Sequence, residues 1–238
     1  MKGRSIITGF LAGLAVLAGV SAVAAEEEAQ QGQSGNDRYS ELVKEKGEFR
    51  ETWVLPGVDP SKYDKVFVWE GQFEYRDVGP ARKTRSMRYS HKSEFGIAED
   101  ARRRFEEIVR EAFGKEIVKA ESFRLITDVA DVDTSTLILR GGLFDIVSRV
   151  PPATVGRADI YLANIGEATL ALELIDAESG TVIALVAERR AIETLNRMGG
   201  PGMPTNTATI IGDIRRWAGN LARRLRVALD KAIQDAKQ

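Results

Sequence analysis

The chain has 238 residues, 43% of them hydrophobic, with 34 basic residues against 35 acidic ones, one histidine and no cysteine. A near-balanced charge argues against a dedicated nucleic-acid binder, which is normally basic. The absence of cysteine excludes disulfides, and a single histidine leaves no histidine or cysteine cluster to hold a metal.

Taken in chain order, the amino terminus reads first as a targeting segment. Lys2 and Arg4 form a short positive region, and Ile6 to Val20 then run without a charge. Ser21-Ala22-Val23-Ala24-Ala25 supplies the small residues of an A-x-A cleavage site before Glu26, Glu27 and Glu28. The apolar run is shorter than the roughly 20 residues a spanning helix needs. Residues 1–25 are therefore predicted to be a signal peptide cleaved after Ala24 or Ala25, and the mature protein to be periplasmic, with no transmembrane segment left. A lipoprotein needs a cysteine after its cleavage site, so no lipid anchor of that kind is expected. About 213 residues remain, enough for one domain, with a net charge near −3 on the same balance of charges.

Residues 26–38 are Glu-, Gln-, Gly- and Ser-rich and read as a disordered lead-in. The domain is expected over 39–236. Tyr39 to Lys46 is predicted to form a short helix behind Asn36 or Asp37, and Pro56-Gly57 and Asp59-Pro60 to form turns. Lys65 to Val78 reads as a strand with Phe67, Trp69, Phe73 and Tyr75 on one face. Ile97, Ala101, Phe105, Ile108, Val109, Ala112 and Phe113 recur at helical spacing, with Arg102–Glu106 and Arg103–Glu107 as i,i+4 pairs. Phe123 to Val129 and Thr136 to Val150 read as strands. A bulge at Gly141-Gly142 would bring Leu137, Leu139, Phe144, Ile146 and Val150 to one core face.

Pro151-Pro152 ends that strand, and Ala158 to Ala163 begins another, with a bend near Asn164 to Gly166. Glu167–Asp176 and Thr181–Thr194 form an antiparallel hairpin around Ala177-Glu178-Ser179-Gly180. Met198 to Pro204 is a Gly/Pro loop. A long helix is predicted from Thr207 to Ala236, capped by Thr205, Asn206 or Thr207, with Ile210, Ile214, Trp217, Leu221, Leu225, Leu229 and Ile233 in its stripe. The fold class is α/β (α+β): a single domain with a mixed β-sheet of about four to five strands packed against two main helices. It contains one strand–helix–strand crossover and a C-terminal hairpin followed by the long helix.

The stretch from Leu55 to Val68, the hairpin from Leu172 to Ala184, and the ending with Trp217-Ala218, Leu221-Ala222 and Leu225 resemble one bacterial family. It is the lipoprotein-type domain of unknown function thirty-three-thirteen, and the likeness covers about residues 39–235 by order of elements. The resemblance implies a cell-envelope protein and brings no reaction and no site residues. The missing cysteine departs from the lipoprotein members. The element order is also similar to small periplasmic modules that bind other envelope proteins, an analogy of fold alone.

Few residues point to chemistry. His91 lies in a polar stretch with no nucleophile elbow nearby. Arg82, Lys83, Arg85, Arg88 and Lys92 form the most basic run, a candidate contact for an acidic partner or an anionic polymer, since guanidinium groups suit phosphates. A solvated loop explains the same run. Asp128, Asp131 and Asp133 cluster without the calcium-loop spacing and read as turn residues. Met198 and Met203 flank the Gly/Pro loop, and Arg215, Arg216, Arg223, Arg224 and Arg226 read as the solvent face of the last helix. No Walker loop, G-x-S-x-G, H-E-x-x-H or dinucleotide fingerprint occurs, so no cofactor is indicated.

The function this favours is a non-enzymatic exported envelope module that binds another protein or an envelope polymer. A cell-wall hydrolase would need a cleft with two carboxylates. A small lipid or ligand carrier would need a cavity of roughly 300 Å³ or more between sheet and helix.

Overall fold

A computed structural model describes residues 38–69, 71–78, 93–151, 161–195 and 204–238. Eight strands, β1 (Val43–Glu45), β2 (Glu51–Val54), β3 (Lys65–Val68), β4 (Gln72–Tyr75), β5 (Arg124–Ile126), β6 (Thr136–Ser148), β7 (Asn164–Asp176) and β8 (Val182–Glu193), form one sheet. Two helices, α1 (Glu99–Ile117) and α2 (Thr207–Ala236), pack on one face. The lateral order is β1-β2-β8-β7-β6-β3-β5, with β4 continuing beside β6. β3 runs parallel to β5 and β6, and β6, β7, β8, β2 and β1 alternate antiparallel. The mixed sheet and two helices match the expectation; the strand number does not, being eight rather than four to five.

Three of the additional elements come from places where tertiary pairing overrides local pattern. The segment expected as a helix at 39–46 is a turn followed by β1, which pairs with β2 against the edge of β8. Leu42 and Trp53 there pack on Ile175, Val182 and Leu185, on the sheet face away from the helices. The single strand expected over 65–78 is broken into β3 and β4. Val68 pairs with Leu139 and Gln72 with Gly142, so the β3–β4 segment carries one residue more than β6 across the break. The extra residue reverses the alternation. Phe67 faces away from the helices beside Ile138, whereas Phe73 and Tyr75 turn toward Phe105 of α1.

The bulge in β6 also lies elsewhere than expected. Pairing with β7 runs unbroken from Leu137 through both glycines to Phe144, and the register shifts only between Phe144 and Val147. Asp145 sits in that shift with φ 54. Leu137, Leu139 and Leu143 therefore face the helices on one parity, and Ile146 rejoins them after the shift.

The helices form as their spacing predicts. α1 buries Phe105, Ile108, Val109 and Ile117, and Glu99 and Asp100 in its first turn complement the helix dipole. Its charged face pairs differently from the expectation: Arg110 with Glu106, Lys115 with Glu111 and Arg104 with Glu107, while Arg102 lies over the Tyr75 ring at 4.7 Å. α2 starts at a capping box in which Asn206 accepts from Ala208 and Thr209 N–H and Thr209 returns the bond. Trp217, Leu221, Leu225, Leu229 and Ile233 bury its stripe, each large side chain being worth about 1.5–3 kcal/mol. No described helix is long and apolar enough to cross a membrane.

Candidate functional site

An apolar cleft of about 370 Å³ opens between α1 and the sheet at the β3–β4 break. Its origin is a missing side chain. On β6 the helix-facing row runs Leu139, Gly141, Leu143, so the middle position contributes no side chain. Gly141 cannot be replaced in place: its φ is +136°, and a Cβ there would stand 2.2 Å from the Ala171 carbonyl oxygen. Gly142 is held as closely by the Gln72 backbone, where a Cβ would meet the carbonyl oxygen at 2.0 Å. Glycine inside a strand marks such close backbone approach.

The floor consists of Leu139, Leu143, Leu170 and Leu172, and α1 supplies the roof with Val109, Phe113, Gly114 and Ile117. Gly114 also leaves room, since nothing lies within 4 Å of where its Cβ would stand. The mouth is formed by Val68 and Trp69, 43% and 48% exposed, with Gly71, Gln72, Phe73 and Arg110. No carboxylate lines the cleft among the described residues, and Arg110 is the one charged side chain that does. Among the described residues, then, the paired acids a glycosidase requires are not gathered here; Glu70, between Trp69 and Gly71 in sequence, lies outside them. The apolar walls fit instead the general form of a small-molecule site.

A polar constellation lies on the opposite sheet face. Arg76 forks onto Asp145 through Nε and Nη2, both at 2.6 Å, and also bonds Glu94. Arg189 bridges Asp145 and Glu167, and Arg149 bonds Glu167 at 2.9 Å. Arg76 first, and Arg189 with it, hold the Asp145 carboxyl below its ordinary pKa. Burial acts to raise Glu167, yet Arg189 and Arg149 bring it below the usual carboxylate range. Three arginines meet three carboxylates, so this cluster ties the end of β4 and the segment before α1 to β6–β8. Further along β7, Glu173 is wholly buried, takes two bonds from Arg140 and accepts from the Tyr39 hydroxyl, which anchors the segment entering β1.

The sequence-level candidates fall as follows. Arg82, Lys83, Arg85, Arg88, Lys92 and His91 lie outside the described residues, as do Met198 and Met203. Asp128 caps a 3-10 turn by accepting from Ala130 N–H. Asp133 accepts from Ser135 N–H and Thr136 Oγ1 and pairs with Lys65. Among the described residues no group of three or more histidine, aspartate or glutamate side chains is arranged to hold a metal. The arginines of α2 are less solvent-directed than expected: Arg216 bonds Asp213, Arg224 bonds Glu188 and lies over Phe49, and Arg226 bonds Asp230. The cleft itself was missed. Its signal was the Gly141-Gly142 pair inside a strand pattern, which invites a bulge reading as readily as a void.

Fold and cleft together define a mixed α+β module with an apolar opening beneath a helix. No family model matches the chain, and no curated protein does. Among solved structures the chain is similar to a neuraminyllactose-binding hemagglutinin homolog from Helicobacter pylori, at 11% identity and TM-score 0.39, over 76% of this chain and 91% of that one. It is also similar to the PelC dodecamer subunit of Paraburkholderia phytofirmans, at 12% identity and TM-score 0.32, over 74% and 96%. A third likeness is to a Xanthomonas campestris protein of family DUF330, at 9% identity and TM-score 0.39, over 77% and 93%. Scores at this level give no basis for transferring a role.

Proposed function

We propose that this protein is an exported envelope binding module that holds the apolar part of a small molecule in the cleft between α1 and the β3–β4 break. The observation that carries the reading is the cleft: about 370 Å³, walled by leucine, valine, isoleucine and phenylalanine, with an exposed Trp69 at its mouth. Ligand sites commonly occupy about 300–1,000 Å³ and are mostly apolar. The carrier reading therefore has a geometric observation behind it, whereas a protein or polymer partner is motivated by export, the lack of catalytic motifs, the family resemblance and the basic run at 82–92, which lies outside the described residues. The tripartite amino terminus supports export and a periplasmic location. The resemblance to the lipoprotein-type domain rests on the residues that carry it and supports an envelope setting.

The test is titration of the mature protein with 1-decanol, followed by tryptophan emission. Of the three tryptophans, Trp217 is buried and Trp53 half-buried, so Trp69 at the mouth reports occupancy. Each buried methylene is worth about 0.8 kcal/mol, and about eight of them, less the ordering of the chain, give a dissociation constant of about 10–500 μM. Saturable binding in that range with a blue shift supports the reading. Emission that changes only linearly with decanol overturns it.

A further inference from the structure

We infer that the ligand of this cleft is a single-chain amphiphile with an anionic head, a carboxylate or a phosphate, which the Arg110 guanidinium binds at the mouth. This rests on the cleft being a ligand site and goes on to name the ligand's chemistry.

The charge distribution of the lining carries the inference. The walls are apolar from Leu172 to Phe113, and Arg110 is the one charged side chain lining the cleft among the described residues. It stands on α1 one residue after Val109, which is buried in the roof, so its stem leaves the apolar wall where the cleft meets solvent. Its guanidinium lies over the Phe73 ring at 4.8 Å, which holds the group at the rim.

The present partner of Arg110 is weakly held. The contact to Glu106 is 3.4 Å long, with the arginine side chain half exposed. An exposed i,i+4 pair of this kind is worth about 0.3–0.5 kcal/mol. Glu106 has a second partner in the Tyr75 hydroxyl at 3.2 Å, so losing Arg110 leaves it bonded. A carboxylate or phosphate at the mouth offers the guanidinium a better, two-pronged acceptor. An amphiphile whose chain enters the cleft places such a head beside Arg110. A cationic head meets repulsion there, and an uncharged one gains only a weaker hydrogen bond from it.

The experiment compares decanoate, decyl phosphate and 1-decanol on the mature protein, well above the carboxyl pKa range, and repeats all three on Arg110→Gln. Wild type is expected to bind at least one of the two anions about five- to tenfold tighter than the alcohol, in line with a charge-assisted bond partly open to solvent. Whichever anion leads identifies the head. Arg110→Gln is expected to bring anion and alcohol within about twofold, chiefly by weakening the anion. Lys115→Gln, which removes an exposed cation of the same helix away from the cleft, should keep the anion preference. Equal binding of anions and alcohol by wild type, or a preference that persists in Arg110→Gln, overturns the inference while the cleft stands. Failure of all three to bind wild type overturns the cleft reading itself. Should Arg110→Gln not fold, raising salt from about 0.02 to about 0.5 M must weaken anion binding to wild type and spare the alcohol; an unchanged anion affinity then overturns the inference.

Discussion

Glu173 and Asp176 sit three residues apart on β7 and do different work. Glu173 is wholly buried and sustained by Arg140 and Tyr39. Replacing it by alanine strands the Arg140 guanidinium and the Tyr39 hydroxyl together. Bonds to charged groups are worth about 1.5–3 kcal/mol, and Arg140 is partly open to water, so Glu173→Ala should cost about 2–3 kcal/mol in urea unfolding. Asp176 closes the β7–β8 turn: its carboxylate accepts from Glu178 and Ser179 N–H, from the Tyr63 hydroxyl at 2.7 Å and from Lys62. Burial pushes its pKa up, but Lys62 and the three other donors outweigh this and hold it well below the ordinary value. A depressed folded-state pKa means the stabilisation is complete above the unfolded value of about 3.9 and is lost as pH falls below that. Unfolding free energy measured from about pH 4 to about pH 2 should thus fall less steeply in Asp176→Asn than in wild type. An identical slope contradicts this account of the turn.

At the scale of elements, two glycines that line the same cleft should respond in opposite ways. Gly141→Ala forces a Cβ against the Ala171 carbonyl at a positive φ, so β6 and β7 must part; a loss of about 3 kcal/mol or more is expected in thermal or denaturant unfolding. Gly114 lies in α1 with open space before it, and a larger residue other than proline gains up to about 1 kcal/mol of helix propensity. Both helices were legible from their 3.6-residue stripes, and α2 occupies the predicted span because Asn206 caps it and no proline or glycine run interrupts it. The β3–β4 break was not legible. Phe67, Trp69, Phe73 and Tyr75 share one parity, and the extra residue that turns Phe73 and Tyr75 to the other face leaves no mark except Gly71. The β6 bulge was placed at the glycines because glycine is the usual bulge residue, whereas Asp145 occupies it, held there by Arg76 and Arg189. β1 and β2 owe their form to the free edge of β8, which no local pattern reveals.

At the scale of the whole molecule, the sheet separates two kinds of chemistry. The helix face is apolar and holds the cleft, and the opposite face is fastened by paired arginines and carboxylates reaching from Arg76 to Arg189. A module of this design has its opening where β3 gives way to β4, on the face away from the charged lock. Export is the condition under which it would meet an envelope ligand. Fractionation of cells producing the full chain should place the processed protein, shortened by 24 or 25 residues, in the periplasm, and removal of residues 1–25 should leave it in the cytoplasm. Full-length protein retained in the cytoplasm would contradict the proposed envelope location.

The cleft as a ligand site is tested most directly by calorimetric titration of 1-decanol into wild type and Gly114→Leu. The leucine grows from the roof into space that is empty, so the variant should melt no lower than wild type while its affinity falls about tenfold or more. A folded Gly114→Leu that binds decanol as wild type does would show that the ligand lies elsewhere, and the central claim would be wrong.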